Sequence, residues 1–231
     1  MLFRSRALLA TAQNVAENVG VATGVAAAAG LSFSYNWRRD AADTAVASLP
    51  ALLRCLRGGG NYSSNNSNNN NNIGHVAAPL ASYVRTLFER EVAGARAAAL
   101  LATAPLCAPA YIAVGTPRAG VVLTRNSTHS LHPRTVARAT AAWHVSQANY
   151  DHYRAQPPAD DRLGLAEAAF DTLGRTAGAS RSGVWRVLSV RGNGVSRGVL
   201  NSDTVYSAYM RPSDGTMEDV LRDSTDAPAH D

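Results

Sequence analysis

A chain of 231 residues is long enough for one or two domains, and its two cysteines, Cys55 and Cys107, are too few for a disulfide framework. A reducing compartment is therefore the default expectation, with a single bridge as the alternative. The net charge of +5 comes entirely from arginine, because the 22 basic residues include no lysine. This excess favours an anionic partner such as RNA, although a coding bias toward Ala, Arg and Gly explains the missing lysine equally well.

Residues 1–18 have the composition of a mitochondrial transit segment, with Arg4 and Arg6, hydroxyl side chains and no acid before Glu17. An ordinary N-terminal helix is the alternative. Residues 18–37 carry no charge, and we expect them to form a flexible or buried helix at the start of a helical region, residues 19–57. Their length also allows a bilayer span, which is kept as an alternative.

The helical region is expected to continue from Asp40, as N-cap, to Arg57, where three glycines end it. The stretch 58–72 is rich in Gly, Ser and Asn and predicts a linker, because it cannot bury apolar surface. An α+β domain is assigned to residues 73–221 and an acidic tail to residues 222–231.

Within that domain, apolar spacing predicts a helix over residues 76–103, and Tyr111–Val114 with Val121–Thr124 predict a hairpin. A further helix is expected from His132 to Arg154. A short helix then begins at Asp160 or Asp161 and ends at Gly174.

Three β-rich runs separated by turn residues follow, and they predict an antiparallel meander. The runs are Val184–Val190, Val195–Leu200 and Thr204–Met210. Met217–Arg222 is expected to form a short acidic helix. The predicted fold class is therefore α+β, with helices that include an α-hairpin, followed by a small three-stranded antiparallel sheet near the C-terminus.

Positive charge is concentrated in residues 172–202, which contain five arginines and no acid. An arginine beside a tryptophan can grip phosphate or stack on bases, which predicts RNA binding. A solvated sheet edge is the alternative interpretation. The candidate RNA-binding residues are Arg175, Arg181, Trp185, Arg186, Arg191 and Arg197.

Common catalytic motifs are missing from the sequence, which has no Gly-x-Gly-x-x-Gly, phosphate loop or Gly-x-Ser-x-Gly. Four histidines, at positions 129, 132, 144 and 152, lie within a short span, but surface and capping roles explain them better than a zinc site does. Asn61, Asn65 and Asn126 stand in N-glycosylation sequons, two of them in the Asn-rich tract, where sequons arise by chance.

Four short motifs in the last third resemble the iron/manganese superoxide dismutases, in the order found in that family. They are Tyr150-Asp151-His152, Leu165-Ala166-Glu167-Ala168-Ala169-Phe170, Ser182-Gly183-Val184-Trp185 and Asp203-Thr204-Val205-Tyr206-Ser207-Ala208-Tyr209. The resemblance implies a redox metal held by three His and one Asp, of which His152 and Asp203 would be retained, while Ser207 stands at the position of the last His. Two ligands do not hold a catalytic metal well, so no metal or other cofactor is expected.

The resemblance also implies a role like that of mitochondrial ribosomal proteins that share this fold and have lost dismutase activity. We therefore expect a protein of the mitochondrial matrix that is not an enzyme, a structural subunit whose partners are RNA and neighbouring proteins. The alternatives are a metal-dependent superoxide dismutase and an inner-membrane accessory subunit of a respiratory complex, anchored through residues 18–37.

Overall fold

The computed structural model describes residues 8–9, 23–38, 80–137, 140–157, 159–193 and 197–222. These residues form a six-stranded antiparallel sheet, a two-stranded ribbon and four helices. The elements in chain order are β1 (Leu8–Leu9), β2 (Thr23–Ala26), β3 (Leu31–Trp37), α1 (Leu80–Glu89), α2 (Gly94–Thr103), β4 (Ala110–Gly115), β5 (Ala119–Arg125), β6 (Ser130–Ala137), α3 (Arg162–Gly178), α4 (Arg181–Leu188), β7 (Tyr206–Arg211) and β8 (Thr216–Leu221). The large sheet runs β1 to β6 in sequence order, and β7 pairs with β8.

Alternation along the central strands gives the large sheet two different faces. One face carries the hydrophobic core, which the helices α1 and α2 cover. The core residues are Leu31, Phe33 and Tyr35 from β3, Ala110, Ile112 and Val114 from β4, Leu123 from β5, and Tyr83, Val84, Leu87, Phe88, Ala97 and Leu101 from the helices. In α1 the buried residues recur at helical spacing, so a single stripe of the helix packs on the sheet.

The opposite face is more polar, and the register of the strands brings its residues into line. Ser34 of β3 lies opposite Ala113 of β4, and Asn36 lies opposite Tyr111. Ala113 in turn lies opposite Val122 of β5. These five residues therefore form one continuous surface on the side of the sheet away from α1 and α2.

The turn between β2 and β3 positions the start of α2. Gly94 N donates to Ala29 O over 3.0 Å. A Cβ on Gly94 would lie 2.6 Å from the carbonyl oxygen of Gly30, so only glycine allows this approach.

The predicted helix over residues 18–37 is wrong, because Thr23–Ala26 and Leu31–Trp37 are paired strands. In β3 the buried residues Leu31, Phe33 and Tyr35 recur at period two, but the Ala and Gly residues that precede them hide this alternation in the sequence. In the part of the chain that the structure describes, no helix is both long and apolar enough to cross a bilayer. The helix expected from Asp40 to Arg57, the linker 58–72 and nearly all of the tail 222–231 lie outside the described residues.

The predicted helix from His132 to Arg154 is also wrong. Ser130–Ala137 is a strand that pairs with β5, and irregular backbone follows it. Pro133 is tolerated there because β6 lies at an edge of the described sheet. The hairpin predicted from Tyr111–Val114 and Val121–Thr124 is confirmed as β4 and β5.

The predicted three-stranded meander does not form, so the predicted fold class is wrong. Val184–Val190 falls mostly in the helix α4, whose N-cap Ser180 accepts a hydrogen bond from Gly183 N over 3.0 Å. Gly183 and Val187 are the buried residues of this helix, at a spacing of four. Among the residues of these runs that the structure describes, only those of the third run form a strand, β7. It pairs with Thr216–Leu221, where a helix was expected.

Other features of the C-terminal region are confirmed. A helix covers Arg162–Gly178, and Gly174 interrupts it with φ 68° and ψ 169°, near the predicted end.

Cys107, between α2 and β4, is disulfide-bonded, contrary to the default expectation of a reducing compartment. The proposed domain boundaries stay predictions, although β3 pairs with β4 across the Asn-rich tract.

Arg125, at the end of β5, is fully buried without a carboxylate partner among the described residues. Its guanidinium donates to the carbonyl oxygens of Ala102 and Ala104 at the C-terminal end of α2. These carbonyls are the negative end of the helix dipole, and α2 has no basic residue in its own last turn. Burial lowers the pKa of Arg125 to about 10, so it stays charged at neutral pH.

Replacing Arg125 by methionine should destabilise the protein by about 3 kcal/mol, because two helix-end carbonyls, one of them buried, lose their donor. Thermal and denaturant unfolding followed by circular dichroism measure the change. Arg118→Met, at the exposed turn between β4 and β5, is the matched control and should alter stability little. Equal stability of the two variants would contradict this account of Arg125.

Candidate functional site

A cavity of about 170 Å³ opens on the polar face of the large sheet. Strands β3, β4 and β5 form its floor, and the irregular segment that follows β6 covers it. We call residues 146–153 the cavity loop. The lining residues are Ser34, Tyr35, Asn36, Tyr111, Ala113 and Val122 from the strands, and Gln147, Ala148 and Asn149 from the cavity loop. The cavity is below the roughly 300 Å³ of a typical small-molecule site, so it suits one polar end of a larger ligand.

A buried ion pair holds the cavity loop to the sheet. Arg38, at the end of β3, donates from Nε to Asp151 Oδ1 over 2.6 Å and from Nη2 to Oδ2 over 2.8 Å. Arg38 is 1% exposed and Asp151 is 6% exposed. Tyr111, on the cavity floor, donates its hydroxyl to Asp151 Oδ1 over 2.9 Å. The two parallel bonds between the Arg38 guanidinium and the Asp151 carboxylate fix the orientation of both side chains.

The surroundings of Asp151 keep it ionised. Burial by itself raises the pKa of the carboxyl, but the hydrogen bonds from Arg38 and Tyr111 outweigh it and lower the pKa to about 2. Burial and the bond to the carboxylate raise the pKa of the Tyr111 hydroxyl, so that group remains a donor. The pair therefore stays charged well into acid pH.

A second arginine fixes the middle of the cavity loop. Arg162, at the start of α3, forms a two-bond pair with Asp160 at 2.8 and 2.6 Å. Its Nη1 also donates to Asn149 Oδ1 over 3.4 Å. This contact turns the amide oxygen of Asn149 toward Arg162, which allows its amide nitrogen to face a ligand.

A third arginine reaches the loop from β6. Arg134 donates to the backbone oxygen of Ser146 and, over 2.9 Å, to Gln147 Oε1. Gln147 in turn donates to the carbonyl oxygens of Ala148 and Tyr150, both over 2.8 Å. The amide oxygen of Gln147 is thus bonded to β6 and its amide nitrogen to the loop, so this side chain supports the shape of the loop.

None of the predicted RNA-binding residues lines this cavity. They lie on α3, α4 and the segment after α4, where Arg197 N donates to Ala159 O over 3.0 Å. Arg181 pairs with Glu218, and Arg197 pairs with Asp203, each over 2.6 Å. Arg175, Arg186 and Arg191 are exposed, while Trp185 is half-buried in α4. Their assignment as RNA contacts stays a prediction.

The two metal ligands suggested by the dismutase resemblance do not share a site in the described residues. His152 lies in the cavity loop with its ring edge-on to Tyr153, whereas Asp203 is exposed and pairs with Arg197. Within the described ranges, no group of three or more His, Cys, Asp or Glu side chains could hold a metal ion.

Sequence reasoning missed Arg38, Asn149 and Arg162 and used Asp151 only for the resemblance to the dismutases. One signal was available, since Arg38 is among the first charges after twenty uncharged residues. Its partner is 113 positions away, and no local pattern gives a pairing over that separation.

Comparison with known proteins shows similarity to two kinds of hydrolase, while no family model matches the chain. The chain is 32% identical over 135 residues to the N-acylethanolamine-hydrolyzing acid amidase of Oryctolagus cuniculus, covering 58% of this chain and 36% of the relative. It is 32% identical over 146 residues to the acid ceramidase of Homo sapiens, covering 62% and 35%. The chain thus spans about a third of the length of the curated relatives it matches.

A solved structure supports the fold. The Caenorhabditis elegans ortholog of N-acylethanolamine-hydrolyzing acid amidase superposes with a TM-score of 0.63 at 19% identity, over 87% of this chain and 76% of the other. At that identity the likeness concerns the fold alone. This fold takes the place of the predicted one, in which helices are followed by a three-stranded sheet near the C-terminus.

These comparisons overturn the functional expectations drawn from the sequence. The resemblance to superoxide dismutases is wrong, and so are the ribosomal role and the expectation of a protein that is not an enzyme, because the relatives are hydrolytic enzymes. The dismutase and respiratory-subunit alternatives have no support among the relatives. RNA and mitochondrial subunits as partners are contradicted, since the relatives are named as hydrolases. The mitochondrial matrix is contradicted too, because the relatives are named as acid hydrolases.

Replacing Asp151 by asparagine should destabilise the protein by about 4 kcal/mol at neutral pH, because Arg38 would remain buried without its counter-charge. The folded pKa lies below the unfolded value, so this stabilisation is present above about pH 4 and is lost as pH falls toward 2. Urea unfolding of both proteins at several pH values measures the difference.

Asp214→Asn is the control for this prediction, because it removes an exposed pair with Arg211. Its effect on unfolding should be small at every pH. A difference between wild type and Asp151→Asn that already disappears between pH 7 and about 5 would contradict the low pKa.

Proposed function

We propose that this chain provides the carbonyl-binding part of an amide hydrolase for N-acyl lipids such as N-acylethanolamines or ceramides. The similarity to acid amidase and acid ceramidase carries the proposal. The cavity supports it, because its small size and the polar side chains among its lining residues suit the amide end of a lipid whose acyl chain lies elsewhere.

Among the polar side chains Tyr111, Gln147 and Asn149 of the cavity, we assign Asn149 as the group that meets the substrate carbonyl. The Tyr111 hydroxyl is committed to Asp151, and the Gln147 amide is committed to β6 and the cavity loop. The oxygen of Asn149 is turned toward Arg162, which allows its amide nitrogen to donate. Asn149 is exposed at the rim of the cavity, where a ligand can reach it.

Hydrolysis of an amide places negative charge on the carbonyl oxygen before the C–N bond breaks. A donor already held toward that oxygen stabilises the charge without reorganisation, which is worth about 100- to 1,000-fold in rate. Arg162 adds a positive charge beside Asn149, and its pair with Asp160 keeps it in place. The products are a fatty acid and an amine, and water supplies the OH and the H.

Acid pH suits the groups that shape this site. The pKa of Asp151 is about 2, and the bond from Arg162 lowers the pKa of Asp160. Both carboxylates therefore stay ionised at about pH 5, and the two ion pairs that hold the cavity loop survive in an acidic compartment.

Replacing Asn149 by alanine should lower kcat about 100-fold with little change in stability, because it removes one donor to the developing oxyanion. Release of fatty acid from N-palmitoylethanolamine and from a short-chain ceramide, measured at acid pH, tests this. Arg175→Ala, which removes an exposed side chain away from the cavity, should leave the rate unchanged.

Binding of the same two lipids by calorimetry gives an independent readout. The wild-type chain should bind at least one of them, and Asn149→Ala should weaken that binding less than it lowers kcat. A chain that neither binds nor hydrolyses either lipid would refute the proposed function.

A further inference from the structure

The turn between β5 and β6 contains the tripeptide Asn126-Ser127-Thr128, a sequence that accepts N-linked glycans. It is the one of the three sequons in this chain that lies within the described residues. Unlike the other two, it stands outside the Asn-rich tract, so repetition of asparagine does not account for it.

Hydrogen bonds in this turn engage the oxygen of Asn126. Asn126 Oδ1 accepts from Thr128 N over 2.8 Å, from His129 N over 2.7 Å and from Thr128 Oγ1 over 3.2 Å. Asn126 Nδ2 makes only 3.4 Å contacts to the exposed His129 ring. A glycan is attached at that nitrogen, so the bonds that shape the turn are kept after modification.

The folded turn has room for such a group. Thr128 and His129 are exposed, and Asn126 and Ser127 are half-buried. The cavity residue Val122 lies four residues earlier in the chain, about 13 Å along the strand. A glycan on Asn126 is therefore compatible with both the fold and the cavity.

A disulfide-bonded cysteine close to this turn indicates an oxidising compartment of the kind in which glycans are added. Leu106 N donates to Ser127 O over 2.7 Å, and the next residue, Cys107, is disulfide-bonded. Disulfides persist in oxidising compartments such as the lumen of the endoplasmic reticulum. The middle residue of the sequon is thus joined directly to the segment that carries the oxidised cysteine.

We propose that Asn126 is an N-glycosylation site of this protein. The donor is an oligosaccharide linked to a lipid pyrophosphate. The sugar C1–O bond to the pyrophosphate breaks, a C1–Nδ2 bond forms, and Nδ2 loses one proton while the lipid pyrophosphate leaves. The proposal is independent of the amide hydrolysis proposed above.

The test uses the full chain with an added secretory leader, expressed in cultured animal cells, with Asn61→Gln and Asn65→Gln so that only Asn126 reports. Treatment with a peptide N-glycosidase should increase the electrophoretic mobility. Peptide mass spectrometry should find Asn126 converted to aspartate by that enzyme.

Matched variants separate glycosylation from folding. Asn126→Asp keeps a side-chain oxygen for the turn but removes the acceptor, and Thr128→Ala removes the sequon, so both should lose the glycan. Thr128→Ser keeps the sequon and should retain it. Recovery of folded, secreted protein with Asn126 unmodified would overturn the proposal, whatever the outcome of the hydrolase assays.

Discussion

The buried ion pair between Arg38 and Asp151 is the contact on which the candidate site depends. It joins Arg38, which directly follows β3, to the cavity loop, which contains neither helix nor strand. Irregular backbone has few internal hydrogen bonds, so its shape must come from side chains outside it. Arg38, Arg134 and Arg162 supply that support from three different parts of the fold, and together they hold the loop over the sheet.

This arrangement also accounts for the use of arginine. Each of the three guanidinium groups makes two or more bonds with fixed directions, which a lysine ammonium group cannot match. The use of arginine in place of lysine throughout the chain is therefore partly structural. The arginines that support the cavity loop lie outside the acid-free stretch 172–202.

Local features of the fold could be predicted from the sequence, whereas features that depend on long-range pairing could not. The hairpin of β4 and β5 and the helix from Arg162 have strong local signals, namely a Gly-containing turn and apolar residues at helical spacing. The run Val184–Val190 is rich in β-branched residues, but the Ser180 cap and the packing of Gly183 against Ala177 decided for a helix. The cavity could not be predicted, because it depends on the register of β3 against β4 and on a pair separated by 113 residues.

The two-faced sheet has a consequence for the evolution of such a protein. Along β3, β4 and β5, one set of alternate positions packs against the helices and the other set lines the cavity, with Tyr35 contributing to both. Changes at the second set alter which ligands fit while the first set still carries the folding information. Selection can therefore diversify ligand recognition by substituting every second residue. An insertion of one residue in a strand would disrupt the core face and the cavity face at once.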